Sequence, residues 1–309
     1  MIGFHALWST TDGGPSPQSV DDLSLLTLAL SALMWREVNG PVYLFCDPLY
    51  RAVFEQLGVL DLWDEVDSTA LSPDAANGLN RSIFWSFGKL LAFRVIQQAC
   101  ASIDTDLVMW RRLGQDISES DLAFTHWESR AQSLWYPEPS RLTPGPGFTW
   151  QPEHLTDVNA ANASFLYFGS RELMKEYCEQ AFAFATGSGA EIPEGAGVAP
   201  ELLFAEQCLP TILADHAGFR SQAIVPAVWS PEKDRFLPGH RLRTTWRPHY
   251  LSQPQFGVTH LWFWKMDIRE SDRRLSRYTK RLACHLDERF GARLASLGVI
   301  HEAVKKRLT

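Results

Sequence analysis

A strand–helix–strand–helix run fills the first 58 residues and constrains the fold more than any other feature of the chain. Residues 2–8 (IGFHALW) form a short apolar segment that ends at Ser9 and Thr10, before a Gly13-Gly14-Pro15 break, and predict a buried strand running into a loop. Ser19, Asp21 and Asp22 then open a helix, because acidic groups favour the positive helix N-terminus, and Asn39-Gly40-Pro41 stops it near Val38. Residues 41–47 (PVYLFCD) predict a second strand, and Pro48 to Gly58 a second helix closed by glycine. Strands and helices that alternate with short connections build a parallel sheet covered on both faces. The expected class is therefore α/β, with a Rossmann-like, mostly parallel sheet.

The pattern continues with a third helix over 87–99, with Leu90, Leu91, Phe93, Val95 and Ile96 inward and Lys89, Arg94, Gln97 and Gln98 at the surface. A strand ending in SIDTDLVMW (102–110), further strands over 121–126 and 163–168, and helices over 170–186 and 199–217 follow. A charged helix over 269–290 closes the pattern. With no repeat and no clear linker, residues 1–309 are expected to form one domain, with parts over 1–110 and 111–268 and a C-terminal helical segment (269–309).

Composition narrows the function classes. A net charge of −7 argues against a general nucleic-acid binder, which needs a basic face for phosphates. Five widely spaced cysteines without a C-x-x-C pair indicate neither a disulfide framework nor a cysteine zinc site. The N-terminus lacks a basic signal-peptide region, and the apolar run from Leu23 to Trp35 is too short to span a bilayer, so no transmembrane segment and a cytoplasmic location are expected.

The chemistry is expected at Ile103-Asp104-Thr105-Asp106-Leu107, where two carboxylates one residue apart stand at the end of an apolar strand. Ligands of open α/β sheets gather at the carboxyl ends of strands. Two like charges held this close need a cation or solvent. A divalent ion with oxygen ligands, Mg²⁺ or Mn²⁺, shared with substrate phosphates, fits that need; a solvated turn with a helix cap is the plainer alternative.

The segment resembles the D-x-D strand end of GT-A-fold glycosyltransferases, and the order of the later motifs resembles glycosyltransferase family 8 and related sugar transferases. Asn162-Ala163-Ser164-Phe165-Leu166, then Glu206-Gln207 on a helix, then His260 with Lys265 follow in the order of that family. No glycine lies between His260 and Lys265 and no Pro-Trp follows, which departs from the family pattern. The resemblance implies a GT-A-like fold and a metal held by Asp104, Asp106 and His260. It also implies a diphosphate contact at Lys265, sugar contacts at Asn162 and Ala163, and Gln207 near the reacting carbon, with Glu206 a candidate for acceptor hydroxyls. Adjacent helical residues do not share a face, so at most one of Glu206 and Gln207 is expected in the site. Trp8, Ser9 and Thr10 would seat the nucleotide base and ribose, with Trp8 as a stacking surface. Lys89 matches a basic residue upstream of D-x-D, against the plainer reading of a helix-surface lysine. Among twelve tryptophans, Trp127, Trp135, Trp150, Trp229, Trp246, Trp262 and Trp264 fall toward loops, where indoles stack on sugar C–H faces.

These residues point to a metal-dependent transferase (EC 2.4, hexosyltransferase-like). It would move a sugar from a nucleotide-diphosphate donor, a UDP-sugar foremost, to an acceptor the sequence does not name; the resemblance implies retention at C1. A sugar-phosphate nucleotidyltransferase and a non-catalytic nucleotide-sugar-binding protein on the same scaffold are the alternatives.

Overall fold

The computed structural model describes residues 1–10, 15–16, 19–131, 135–230, 235–236, 257–261 and 264–308. The chain runs β1 (Ile2–Leu7), α1 (Asp22–Val38), β2 (Val42–Cys46), α2 (Pro48–Leu57), β3 (Glu65–Asp67), α3 (Gly88–Val95), β4 (Cys100–Ile103) and β5 (Leu107–Met109). A short α4 (Gln115–Ser118) leads to β6 (Leu122–Phe124), β7 (Trp127–Glu128), β8 (Ala160–Ala161), β9 (Phe165–Phe168) and α5 (Arg171–Ala185). Then come α6 (Pro200–Leu203), a wide turn over Phe204–Cys208, α7 (Leu209–His216), β10 (Ser221–Ala223), β11 (Val228–Ser230), β12 (Arg235–Phe236) and β13 (Val258–His260). The chain ends with α8 (Trp264–Arg269), α9 (Asp272–Leu294) and α10 (Gly298–Leu308).

A seven-stranded sheet of order β10-β6-β9-β4-β1-β2-β3 forms the centre, as the α/β reading expects. It is parallel except at β9, which runs antiparallel to both β4 and β6. One core layer joins α1, α9 and α10 to the sheet, and another joins α3, α5 and α7 to it. From Leu23 to Trp35 every residue of α1 except Ser24 is buried, because the sheet covers one side and the C-terminal helices the other. No helix among the described residues is long and apolar enough to cross a membrane.

Local chemistry sets the element ends. Asp21 caps α1 by accepting from the Ser24 N–H at 2.7 Å. Asp47 caps α2 through the Tyr50 N–H (2.9 Å), and its second oxygen accepts from the Ser9 N–H (2.6 Å), which ties the end of β1 to α2. Gly58 closes α2 at φ +66°, the left-handed region that favours glycine.

Two expectations need correction. The third helix stops at Val95 and not at residue 99, because Cys100 already pairs with Ile2 in the sheet. Lys89 is buried within it instead of lying at the surface, and Val95 is 50 % exposed instead of inward. The run 102–110 is not one strand either: β4 ends at Ile103, and β5 belongs to a separate two-stranded ribbon with β13.

The ribbon is anchored from within the core. Trp63 Nε1–H donates to His5 Nδ1 (3.0 Å), which leaves His5 Nε2 to donate to Ser31 Oγ (3.1 Å); the Ser31 hydroxyl then donates to the Leu107 carbonyl (2.6 Å). This chain fixes β5, and hence the turn before it, to β1 and α1. Burial lowers the His5 pKa from 6.5 to about 3, so the folded protein holds it neutral. The unfolded chain takes up that proton below pH 6.5 while the folded chain does not until about pH 3, so stability falls as pH drops through this window. Urea midpoints between pH 7 and pH 4 should decline, His5 contributing a slope approaching about 1 kcal/mol per pH unit; in His5→Gln the decline should be shallower.

Gly3 sits where Trp35 of α1 and Ile103 of β4 close on β1, and a Cβ there would overlap the indole ring. Gly3→Ala should therefore destabilise the fold by about 1–3 kcal/mol through overpacking, read as a lower denaturant midpoint at unchanged slope.

Candidate active site

Asp104 and Asp106 occupy a turn closed by the Leu107 N–H donating to the Asp104 carbonyl at 3.0 Å. Two antiparallel pairings hold that turn from either side. β4 pairs with β9 so that Ile103 faces Phe165, and the Asp104 N–H donates to the Ser164 carbonyl at 2.7 Å. β5 pairs with β13 so that Leu107 faces His260, and the Leu261 N–H donates to the Asp106 carbonyl at 3.1 Å. Strand register thus brings Ser164 and His260, far apart in sequence, to the turn that carries the two carboxylates.

Each carboxylate divides its oxygens between a lysine and His260. Lys89 Nζ lies 2.7 Å from Asp104 Oδ1, and Lys265 Nζ 2.8 Å from Asp106 Oδ2. The other oxygens, Asp106 Oδ1 and Asp104 Oδ2, lie 3.5 and 3.9 Å from His260 Nε2. One ligand atom from each of Asp104, Asp106 and His260 falls within 4.8 Å of the others, a set of oxygen and imidazole donors that could hold a metal ion. Burial pushes the Asp106 pKa up, but His260 and then Lys265 outweigh it, so the carboxyl is held well below its usual range.

Lys89 supports the site from below. Its ammonium donates to Asp104, to Glu206 Oε1 (2.8 Å) and to the Ala163 carbonyl (2.9 Å), which uses all three of its N–H groups. Burial alone would lower its pKa, but Asp104 and Glu206 raise it, so the charge persists. Glu206 is itself buried; desolvation raises its pKa more than Lys89 lowers it. It therefore does not lie on a solvated helix face.

A wide turn over Phe204–Cys208 carries Glu206, which meets Lys89, and Gln207, which meets Tyr136. The cause is Pro210. It has no N–H to return to the Glu206 carbonyl four residues earlier, and the helix widens there: Leu209 N–H bonds to the Phe204 carbonyl, five residues back. The Tyr177 hydroxyl donates to the freed Glu206 carbonyl at 3.4 Å.

A second polar centre adjoins Gln207 and escaped the sequence reading. Glu128 Oε2 accepts from the Tyr136 hydroxyl (2.6 Å) and Oε1 from Asn162 Nδ2 (2.7 Å), with His126 Nε2 3.5 Å from Oε1. Burial pushes the Glu128 pKa up, but the His126, Tyr136 and Asn162 contacts bring it below the usual value; burial lowers that of His126. Tyr136 also meets the Gln207 side-chain amide. The phenol has one proton, which the carboxylate claims as the stronger acceptor, so the Gln207 amide is best assigned with its NH₂ donating to the phenol oxygen. Asn162 Oδ1 in turn accepts from Ser164 Oγ at 2.6 Å. A signal existed for part of this: His126 and Glu128 alternate at a strand end, like Asp104 and Asp106. Tyr136 comes from a Pro-rich segment that carries no such pattern.

At the end of β1, Ser9 is buried and Thr10 exposed. The Trp8 ring is buried with the Arg81 guanidinium 5.2 Å above it, so it is not the open stacking surface that was expected. Its indole N–H donates to the carbonyl of Trp85, whose own side chain is 48 % exposed. Trp127 packs on Phe124, and Trp150 on Phe184 and Phe204. Trp246, Trp262 and the Trp264 side chain lie outside the described residues.

Residues 15–238 match DUF6734, a family of unknown function. The chain belongs to this family. No curated protein matches it. Among solved structures, galactosyltransferase LgtC in complex with donor and acceptor sugar analogs is 9 % identical with a TM-score of 0.38, over 67 % of this chain and 71 % of that one. An active-site mutant of LgtC aligns at 11 % identity and 0.36, over 67 % and 70 %. A nucleoside-diphosphate-sugar pyrophosphorylase from Vibrio cholerae RC9 aligns at 14 % and 0.34, over 75 % and 93 %. These likenesses are too weak to transfer an activity or a residue role.

Lys89 provides a direct test of the charge arrangement. Lys89→Met should cost about 3–5 kcal/mol, because Glu206 and Asp104 lose their shared cation in a buried setting. Adding Glu206→Gln should recover part of that loss, measured as a double-mutant cycle in urea.

Proposed function

We propose that this DUF6734 member is a metal-dependent glycosyltransferase that uses a nucleotide-diphosphate sugar, with a UDP-sugar as the first donor to test. The observation that carries the reading is the convergence of Asp104 and Asp106, from the turn between β4 and β5, with His260, from the end of β13, and two lysines on the outer oxygens. A carboxylate pair with one member buried and the other half-buried is costly to build unless it serves a cation. The order of the D-x-D, Asn-Ala, Glu-Gln and His–Lys motifs supports the same reading, since it resembles that of family 8.

In this proposal Asp104 Oδ2, Asp106 Oδ1 and His260 Nε2 hold the divalent ion, which supplies positive charge to the diphosphate leaving group. Lys265, 39 % exposed at its side chain, adds a point charge to the same diphosphate. Lys89 has no N–H to spare for a phosphate and acts by keeping Asp104 and Glu206 in place. Asn162, with its neighbour Ala163 leaving room, and Gln207 present amides to the sugar, oriented by Glu128 and Tyr136. Ser9 and Thr10 border the nucleotide, and the exposed indole of Trp85 replaces Trp8 as the surface on which its base can stack. No base for direct inverting attack is assigned, and the family resemblance favours retention at C1.

Thermal unfolding with UDP, GDP and other nucleoside diphosphates, each with Mn²⁺ or EDTA, tests this reading. At least one diphosphate should raise Tm only with metal, and Asp104→Ala or Asp106→Ala should abolish the rise. A full rise in EDTA would overturn the metal assignment. The corresponding nucleotide sugar should then be hydrolysed or transferred, whereas pyrophosphate release from a sugar phosphate and a nucleoside triphosphate would indicate a nucleotidyltransferase.

A further inference from the structure

We infer that Lys265 is the exchangeable counter-ion of the site: it holds Asp106 until a diphosphate draws it away, so metal and diphosphate bind strongly only together. The inference rests on the metal site proposed above. Three carboxylates, Asp104, Asp106 and Glu206, meet two lysines there, which offset two of the three negative charges. A divalent ion arriving alone would be placed beside two ammonium groups that already satisfy the outer carboxylate oxygens. It gains less from Asp104 and Asp106 than it would from a bare pair.

The two lysines are not equivalent. Lys89 is buried, and its three N–H groups are fixed by Asp104, Glu206 and the Ala163 carbonyl, so it cannot leave without stripping Asp104 and the buried Glu206 of their shared cation. Lys265 is much more exposed, lies at the start of α8, and reaches Asp106 at the end of a flexible four-carbon stem. A diphosphate offers it acceptor oxygens and negative charge at the same mouth. Once Lys265 turns to the diphosphate, Asp106 regains its full charge for the ion. Each ligand thus favours the other, and the coupling must be reciprocal.

Mn²⁺ binding to the full chain, measured by calorimetry and by the electron paramagnetic resonance of free Mn²⁺, tests this without any turnover. In wild type, saturating UDP should tighten Mn²⁺ binding by about tenfold or more. In Lys265→Met, Mn²⁺ alone should bind about tenfold tighter than to wild type, and the effect of UDP should shrink toward none. Lys265→Arg keeps the charge and should resemble wild type with Mn²⁺ alone, which separates charge from any change in folding. Unchanged or weaker Mn²⁺ binding by Lys265→Met, in a wild-type background that does bind Mn²⁺ with UDP, overturns the lysine exchange alone. Absence of Mn²⁺ uptake by wild type even with UDP overturns the metal site and this inference with it.

Discussion

Two carboxylates confined to one turn repel each other, and the rest of the site is organised around that repulsion. Asp104 and Asp106 cannot relax apart, because the Ser164 carbonyl fixes the backbone of the first and Leu261 that of the second. Compensation therefore has to come to them. It comes from three directions: Lys89 from α3, His260 from β13 and Lys265 from α8. These groups come from two helices and one strand, so site and fold share one set of constraints.

Compensation is graded from the inside out. Beneath the turn, Lys89 and Glu206 form a buried pair whose removal on one side leaves an uncompensated charge. On the other carboxylate, Lys265 pairs with Asp106 while keeping part of its side chain in solvent. Beside them, Glu128 gathers Tyr136, Asn162 and His126 into a hydrogen-bonded group in which the carboxylate is fully engaged. Such a group is suited to orienting neighbouring amides. The His5–Ser31–Leu107 chain extends the same ordering into the core, on the far side of the ribbon.

Elements with a strong local signature were legible in the sequence. α1 and α2 start at Asp21 and Asp47 and stop at Asn39 and Gly58 because caps and breakers act within a few residues. The D-x-D pair was visible because its frame of apolar residues is unusual for a surface turn. What local pattern could not convey was pairing across long separations. The break between β4 and β5 depends on β13, more than a hundred residues away in sequence. The burial of Lys89 depends on Glu206, and that of Trp8 on Arg81 and Trp85, none of which a helix or strand periodicity encodes. Charged and aromatic side chains were assigned to the surface or to a ligand by type, and their true partners lay in other elements.

The proline at 210 has a consequence for how this stretch of chain can be aligned or edited. An α-helix turns about 100° per residue, and a wider turn resets that phase. The side of α6 that meets the core and the side of α7 that does so are consequently not related by ordinary helical spacing. A heptad-style comparison carried straight through Phe204–Cys208 would pair inward positions on one side with outward positions on the other. Grafts or deletions within Pro200–His216 preserve the core only if each half keeps its own frame.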